Sequence, residues 1–167
     1  KEDIENDRYI EIWNIVFSQY NSEPGKPRET YKELPSKNID TGAGLERIAC
    51  VMQETETNYE SDLFMPYINF IENSTGIKYE GQMSFKVIVD HIRSITFALA
   101  DGATFGNNGR GYVLRRILRR AVRYARKLNI NEPFLYKMVD LVADNMKEFY
   151  PYLLNQSSLV SKLIKIE

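Results

Sequence analysis

The sequence predicts a mainly α-helical chain with a small antiparallel β part at its start. Three observations predict it. An alternating run of β-branched and aromatic residues, "RYIEIWNIVFSQY" (8–20), precedes a loop rich in proline and glycine. From Leu45 onward apolar residues recur at steps of three and four. From residue 61 to the end, such segments follow one another between caps and stops, with no internal repeat. At 167 residues and 43% hydrophobic content, the chain suffices for one ordinary domain or two small ones.

The elements can be justified in order. In the first strand, period two puts Ile10, Ile12, Asn14, Val16 and Ser18 on one face and Tyr9, Glu11, Trp13, Ile15 and Phe17 on the other. "NSEPGKPRE" (21–29) is a loop. "TYKELP" (30–35) is expected to return antiparallel, and "NIDTGAG" (38–44) to form a short third strand or extended turn. Leu45, Ile48, Ala49 and Met52 open the first helix. A second is expected over 61–74, with Ser61 as its N-cap, Pro66 near its first turn and "STG" closing it. In "SFKVIVDHIRSITFALADG", Phe85, Ile88, Ile92, Ile95 and Leu99 form one stripe, with Ser84 as cap and Asp101-Gly102 as stop. The polar loop "DGATFGNNGRG" (101–111) leads into an arginine-rich helix. Asn131 and Pro133 are expected to open a further helix reaching about Tyr150, and Pro151 a last one. Domains are expected at 1–57 and 58–167.

Several function classes are excluded early. A single cysteine, Cys50, rules out an internal disulfide framework, and a single histidine, His91, argues against a Cys/His zinc site. No apolar run approaches membrane-spanning length, so a cytoplasmic protein with no membrane partner is expected. The chain lacks an initial methionine and stops inside an apolar pattern, which reads as a fragment of something longer.

Net charge is only −1, but residues 110–127 hold eight of the 22 basic residues and no acid. The remainder carries 14 positive against 23 negative charges. At 100° per residue, Leu114, Ile117, Leu118, Ala121, Ala125 and Leu128 fall within an arc of about 100°, while Arg115, Arg116, Arg119, Arg120, Arg123, Arg126 and Lys127 span about 140° opposite. Like charges at such spacing repel, so this face calls for an anionic partner. Guanidinium groups suit phosphate oxygens, and the preceding "FGNNGRG" offers small side chains and an amide that both donates and accepts. The pattern points to nucleic acid. Acids elsewhere in the chain are the alternative partner.

Three stretches carry a more specific signal: "RYIEIWNIVFSQY", "DTGAGLERI" and "VIVDHIRSITFALADGATFGNNGRGYVLRRILRRAVR". In this order, and covering nearly the whole chain, they resemble the alanyl-tRNA synthetases, class II aminoacyl-tRNA ligases. "DTGAGLER" resembles motif 3 of that class, a strand ending in alternating glycines before a helix that starts Glu-Arg. Where the general class pattern has glycine, Asp40 stands, as in the alanine-specific branch. The resemblance implies the end of a class II catalytic sheet followed by a helical tRNA-recognition bundle, truncated at its C-terminal side. It implies partners: alanine, ATP with Mg²⁺ in the full enzyme, the acceptor stem of tRNA(Ala), and the remainder of a parent chain. No metal site is expected within these residues.

Residue by residue, it implies that Asp40 holds the α-amino group of alanine and that Asn14, Val16 and Gly42 shape its pocket. Gly42 and Gly44 would admit ATP, with Arg47 on adenine and the terminal phosphates. Asn107 would contact the G•U wobble pair of the stem, while Arg110, Arg115, Arg116, Arg119, Arg120 and Arg123 grip phosphates. Asp90, His91 and Arg93 are expected to be structural, Asp90 pairing with Arg93. Motifs 1 and 2 would precede Lys1, so no complete catalytic set is expected and the chain alone should not activate alanine. Two other readings stay open: a non-catalytic RNA-binding paralogue, and a helical interaction module whose arginines meet carboxylates.

Overall fold

A computed structural model describes residues 9–167, so residues 1–8, including the expected strand start at Arg8, lie outside the described residues. The chain divides into two compact units, Lys1–Asn58 and Tyr59–Glu167.

The first unit is a two-stranded antiparallel ribbon and one helix. Strand β1 spans Trp13–Asn21 and β2 spans Lys32–Ala43, followed by α1 at Leu45–Met52. The two expected return segments are one continuous strand. Ser18 pairs with Asn38 but Tyr20 pairs with Glu33, so the segment from Leu34 to Lys37 opposes a single residue of β1. Pro35, which has no N–H for the ladder, sits inside that bulge. β1 itself begins at Trp13 rather than residue 8, although Gly44 N–H still reaches the Ile12 carbonyl at 3.1 Å. None of residues 9–58 is fully buried; Trp13, Ile15, Phe17 and Ile39 are exposed. A lone two-stranded ribbon is marginal in water, so this unit carries no core of its own.

The second unit is all helical: α2 Met65–Thr75, α3 Met83–Ala100, α4 Gly109–Arg126, α5 Val139–Met146 and α6 Tyr152–Ile166. Its core is built on α3, where Phe85, Ile88, Ile92 and Ile95 are completely buried and Leu99 nearly so, as their spacing requires. Leu114, Leu118, Ala121 and Ala125 of α4 pack into the same cluster, with α2, α5 and α6 closing it.

Three element boundaries differ from expectation. α2 starts at Met65, not near Ser61, which places Pro66 in the first turn, where its missing N–H is not needed. Ser61 is fully buried, and its carbonyl accepts from Phe64 and Met65 N–H. α3 is capped by Gln82 rather than Ser84; the Gln82 side chain bonds Glu80 N–H and the Lys78 carbonyl, which holds the extended residue there. The helix expected from Asn131 to Tyr150 begins as a 3₁₀ turn, Leu135–Met138, and ends at Met146. In a 3₁₀ turn, side chains three apart eclipse, and Leu135 and Met138 are both buried.

Asp90 bonds its neighbour: His91 Nδ1 lies 2.8 Å from Asp90 Oδ2, whereas the Arg93 guanidinium sits 4.4 Å from the Phe64 ring centre. The His91 bond, helped by the charges of Arg93 and Arg120 and opposed by burial, holds the Asp90 carboxyl below its ordinary range. Glu72 is lowered mainly by the Tyr79 N–H, 2.7 Å from its Oε1. Groups with a lowered folded pKa stabilise the fold above their unfolded value and lose that contribution as pH falls toward the folded one. Thermal melts are therefore expected to weaken progressively from about pH 5 to pH 2, with a shallower decline in Asp90→Asn. A decline unaltered by that substitution would assign the acid sensitivity elsewhere.

Candidate ligand ledge and nucleic-acid interface

The register of the ribbon brings together residues that lie 24 to 28 positions apart in sequence. Asn14 stands opposite Gly42 and Val16 opposite Asp40, so all four side-chain positions share one exposed face. Asp40 accepts the Thr41 N–H at its Oδ1, 2.8 Å away, which leaves Oδ2 toward solvent. Asn14 donates to Glu11 Oε1 at 2.9 Å, and its Oδ1 lies over Gly42, 3.4 Å from where a Cβ would stand. The Thr41 hydroxyl donates to the Asn14 carbonyl at 2.7 Å and accepts from the Trp13 indole, pinning the two strands from the other side. The face therefore offers two acceptor oxygens over a bare backbone, a suitable seat for a small ammonium-bearing ligand.

Arg47 is the third residue of α1, and its aliphatic stem covers Gly44, 3.3 Å from the ideal Cβ position. Its Nη1 donates to the Glu11 carbonyl. One donor of the guanidinium is thus engaged by backbone and the side chain is exposed. Among the described residues, no three His, Cys, Asp or Glu side chains gather in a metal-binding group.

The second site is on α4. Arg116, Arg119, Arg120, Arg123 and Arg126 are exposed, as are Arg110 and Lys127. Among the described residues, Arg110, Arg116, Arg120, Arg123 and Arg126 form no ion pair with a carboxylate. The arginines therefore do not, as a set, turn onto internal acids. Arg115 is the exception. At the edge of the cationic arc it is half-buried; its Nη2 donates to Glu167 Oε2 at 2.8 Å and its Nη1 to Asn107 Oδ1. Arg119 Nη2 also approaches Glu167, at 3.5 Å.

Sequence reasoning missed two features here. Arg116 lies over the Tyr112 ring and Arg120 over the Tyr124 ring, 5.7 and 5.9 Å from the centroids. Both pairs are four apart on a helix, a spacing legible in the sequence. Glu167 had no such signal, because it lies 52 residues from Arg115.

The loop before α4 is held by close backbone approach. Gly109 has φ +58°, a conformation glycine adopts without penalty. A Cβ on Gly111 would lie 2.7 Å from the Thr104 carbonyl oxygen and 2.8 Å from Gly106 N. Asn107 and Asn108 are exposed at the tip. Along α4 the surface continues into a groove of about 590 Å³, where Arg119, Arg123, Arg126 and Lys165 stand around Val122, Ile130 and Phe134. Among the described residues, no helix is long and apolar enough to cross a membrane.

Comparisons with known proteins agree with one another. The family described as tRNA synthetases class II (A) matches residues 1–167. An alanine–tRNA ligase of Streptococcus mutans serotype c is 61% identical over 169 residues, spanning 99% of this chain and 19% of that protein. An alanine–tRNA ligase of Acholeplasma laidlawii is 58% identical over 164 residues, spanning 98% of this chain and 19% of that protein. One from Streptococcus pyogenes serotype M3 is 60% identical over 169 residues, with 99% and 19% covered. The chain thus spans about a fifth of the length of the relatives it matches.

Proposed function

Since this chain belongs to the class II tRNA synthetases, we propose that it is part of an alanine–tRNA ligase, supplying one wall of the alanine and ATP pocket and the helices that grip the tRNA acceptor stem. The ligase joins the alanine carboxylate to the α-phosphate of ATP, releasing pyrophosphate, and passes the alanyl group to a terminal hydroxyl of tRNA(Ala), releasing AMP, in the cytoplasm. Residues 1–57 serve the pocket and residues 58–167 the RNA.

At the pocket, Asp40 Oδ2 and Asn14 Oδ1 receive the α-ammonium of alanine, and Val16 limits the space for its methyl group. A carboxylate and an amide oxygen suit an ammonium because both only accept. Gly42 and Gly44 leave the backbone bare for the nucleotide. Arg47 faces its base and terminal phosphates, which requires the bond to the Glu11 carbonyl to open or to be shared. ATP reaches class II enzymes with Mg²⁺, and among the described residues no three His, Cys, Asp or Glu side chains gather to hold that ion.

At the RNA interface, the outward guanidinium face of α4 carries the reading. Arg110, Arg116, Arg119, Arg120 and Arg123 meet phosphates, which set register without reading bases. Asn107, at the tip of a glycine loop, enters the wide and shallow minor groove of an A-form stem and meets the G•U pair. Such a contact is worth about 1–3 kcal/mol of discrimination. Asn107→Ala is therefore expected to lower the preference for a G•U hairpin over its G–C counterpart about tenfold. Arg123→Ala should weaken both hairpins alike and flatten the salt slope by about 0.7–0.9. Fluorescence anisotropy titrations on the two hairpins decide it: equal losses in the two variants would remove Asn107 from the role of reader.

A further inference from the structure

We propose that Glu167 and Arg115 act as a clamp that orients the amide of Asn107, so that Arg115 is a positioning residue for base reading and not a phosphate contact. The inference rests on the RNA reading of Asn107 given above and departs from it in the role of Arg115.

The guanidinium of Arg115 carries five N–H donors in a rigid fork. Nη2 donates to Glu167 Oε2 at 2.8 Å, and Nε stands beside Oε1 in the same ion pair without a hydrogen bond to it. Nη1 donates to Asn107 Oδ1. The side chains of Arg115 and Glu167 are only 20% and 14% exposed, so the pair is withdrawn from the surface where its neighbours stand. Neutralised and half-buried, Arg115 adds little attraction for phosphate.

Its effect on Asn107 is directional. An asparagine amide has an acceptor end and a donor end, and only the oxygen can face a guanidinium. The contact therefore sets the amide with Nδ2 directed away from Arg115, toward solvent. Without Glu167, Arg115 would be free to swing toward solvent, and the Asn107 amide would rotate between two orientations of which one presents the wrong end. Holding one orientation in advance removes that ordering cost from binding. The backbone beneath is held separately, by the approach of Gly111 to Thr104 and Gly106. Loop position and amide orientation thus have distinct supports, one helical turn apart on α4.

The test uses the 167-residue chain and two RNA hairpins differing only in G•U against G–C at one position. Glu167→Gln keeps size and removes the charge of the anchor. It is expected to lower the G•U preference about two- to tenfold, while affinity for the G–C hairpin holds or rises because the Arg115 charge is released. Arg115→Lys keeps the charge but cannot fork, and is expected to lose preference to a similar degree. A merely structural role would weaken both hairpins together, and that result would overturn the clamp. If wild type discriminates, Asn107→Ala does not, and Glu167→Gln still does, the clamp is wrong and the reader role of Asn107 stands. If wild type itself does not discriminate, the RNA reading falls. Side-chain amide relaxation of Asn107, measured by NMR without RNA, reports on the clamp alone: ordered in wild type and mobile in Glu167→Gln supports it, equal mobility overturns it.

Discussion

Gly111→Val is expected to destabilise the helical unit by about 3 kcal/mol, although glycine in a helix interior is ordinarily worth replacing. Glycine costs roughly 0.5–1 kcal/mol relative to alanine in such a position, because it loses more backbone freedom on folding. At residue 111 that gain is overwhelmed. A Cβ would stand 2.7 Å from the Thr104 oxygen, 2.8 Å from Gly106 N and 3.1 Å from Gly106 Cα, and all three atoms are backbone. Backbone cannot rotate aside as the end of a side chain can, so either α4 or the 104–106 loop must move. The two methyls of valine extend the conflict. For a chain of this length the loss corresponds to a fall in melting temperature of about 6–12 °C. Displacement of the loop would carry Asn107 with it, so preference for the G•U hairpin should disappear in the same variant. A melting temperature equal to wild type would show that the close approach is not kept in solution.

The triple substitution Arg116→Ala, Arg120→Ala, Arg123→Ala carries the largest expected effect on binding. These side chains are exposed and, among the described residues, form no ion pair with a carboxylate. If each neutralises one phosphate, their removal should flatten the dependence of log affinity on log salt by about two to three. Near 0.1 M salt that is a loss on the order of a hundredfold. The fold should persist, with a modest loss of stability. Arg116 and Arg120 are like charges four apart, so alanine relieves repulsion of a few tenths of a kcal/mol. The same change removes the contacts of Arg116 with Tyr112 and of Arg120 with Tyr124, worth about 0.5–1 kcal/mol each at exposed sites. The terms oppose only in part, and a net loss of about 0.5–1.7 kcal/mol is expected. Titrations at several salt concentrations, with melts on the same samples, separate lost contacts from lost structure. An unchanged slope would return the arginine face to a structural role.

How far the fold could be read from the sequence depended on the range of the deciding interaction. The stripe of Phe85, Ile88, Ile92, Ile95 and Leu99 is a local period, and all five are buried. The opposition of Leu114, Leu118, Ala121 and Ala125 to the arginines is equally local, and α4 buries the first set and exposes most of the second. Boundaries were less legible where two local signals competed. Ser61 is a good cap by type, but Pro66 has no N–H to donate to the carbonyl four residues back, so the regular helix starts only at Met65. Pro35 and the change from "TYKELP" to "NIDTGAG" suggested two strands, because nothing in the sequence says that a bulge will absorb the four residues between the paired segments.

Sequence by itself determined the class of the chain, the order of its elements, the apolar and cationic faces of α4, and, through period two, that Asn14 and Val16 share a face. Those properties follow from neighbours within a turn of helix or two residues of strand. Only the tertiary structure decided that Asn14 faces Gly42 and Val16 faces Asp40, since register depends on how a bulge between distant strands is placed. It alone withdrew Arg115 from the cationic face, because the carboxylate that neutralises it arrives from α6's end, half a bundle of sequence away. Periodicity tells which way a side chain points; what it meets there is set by packing.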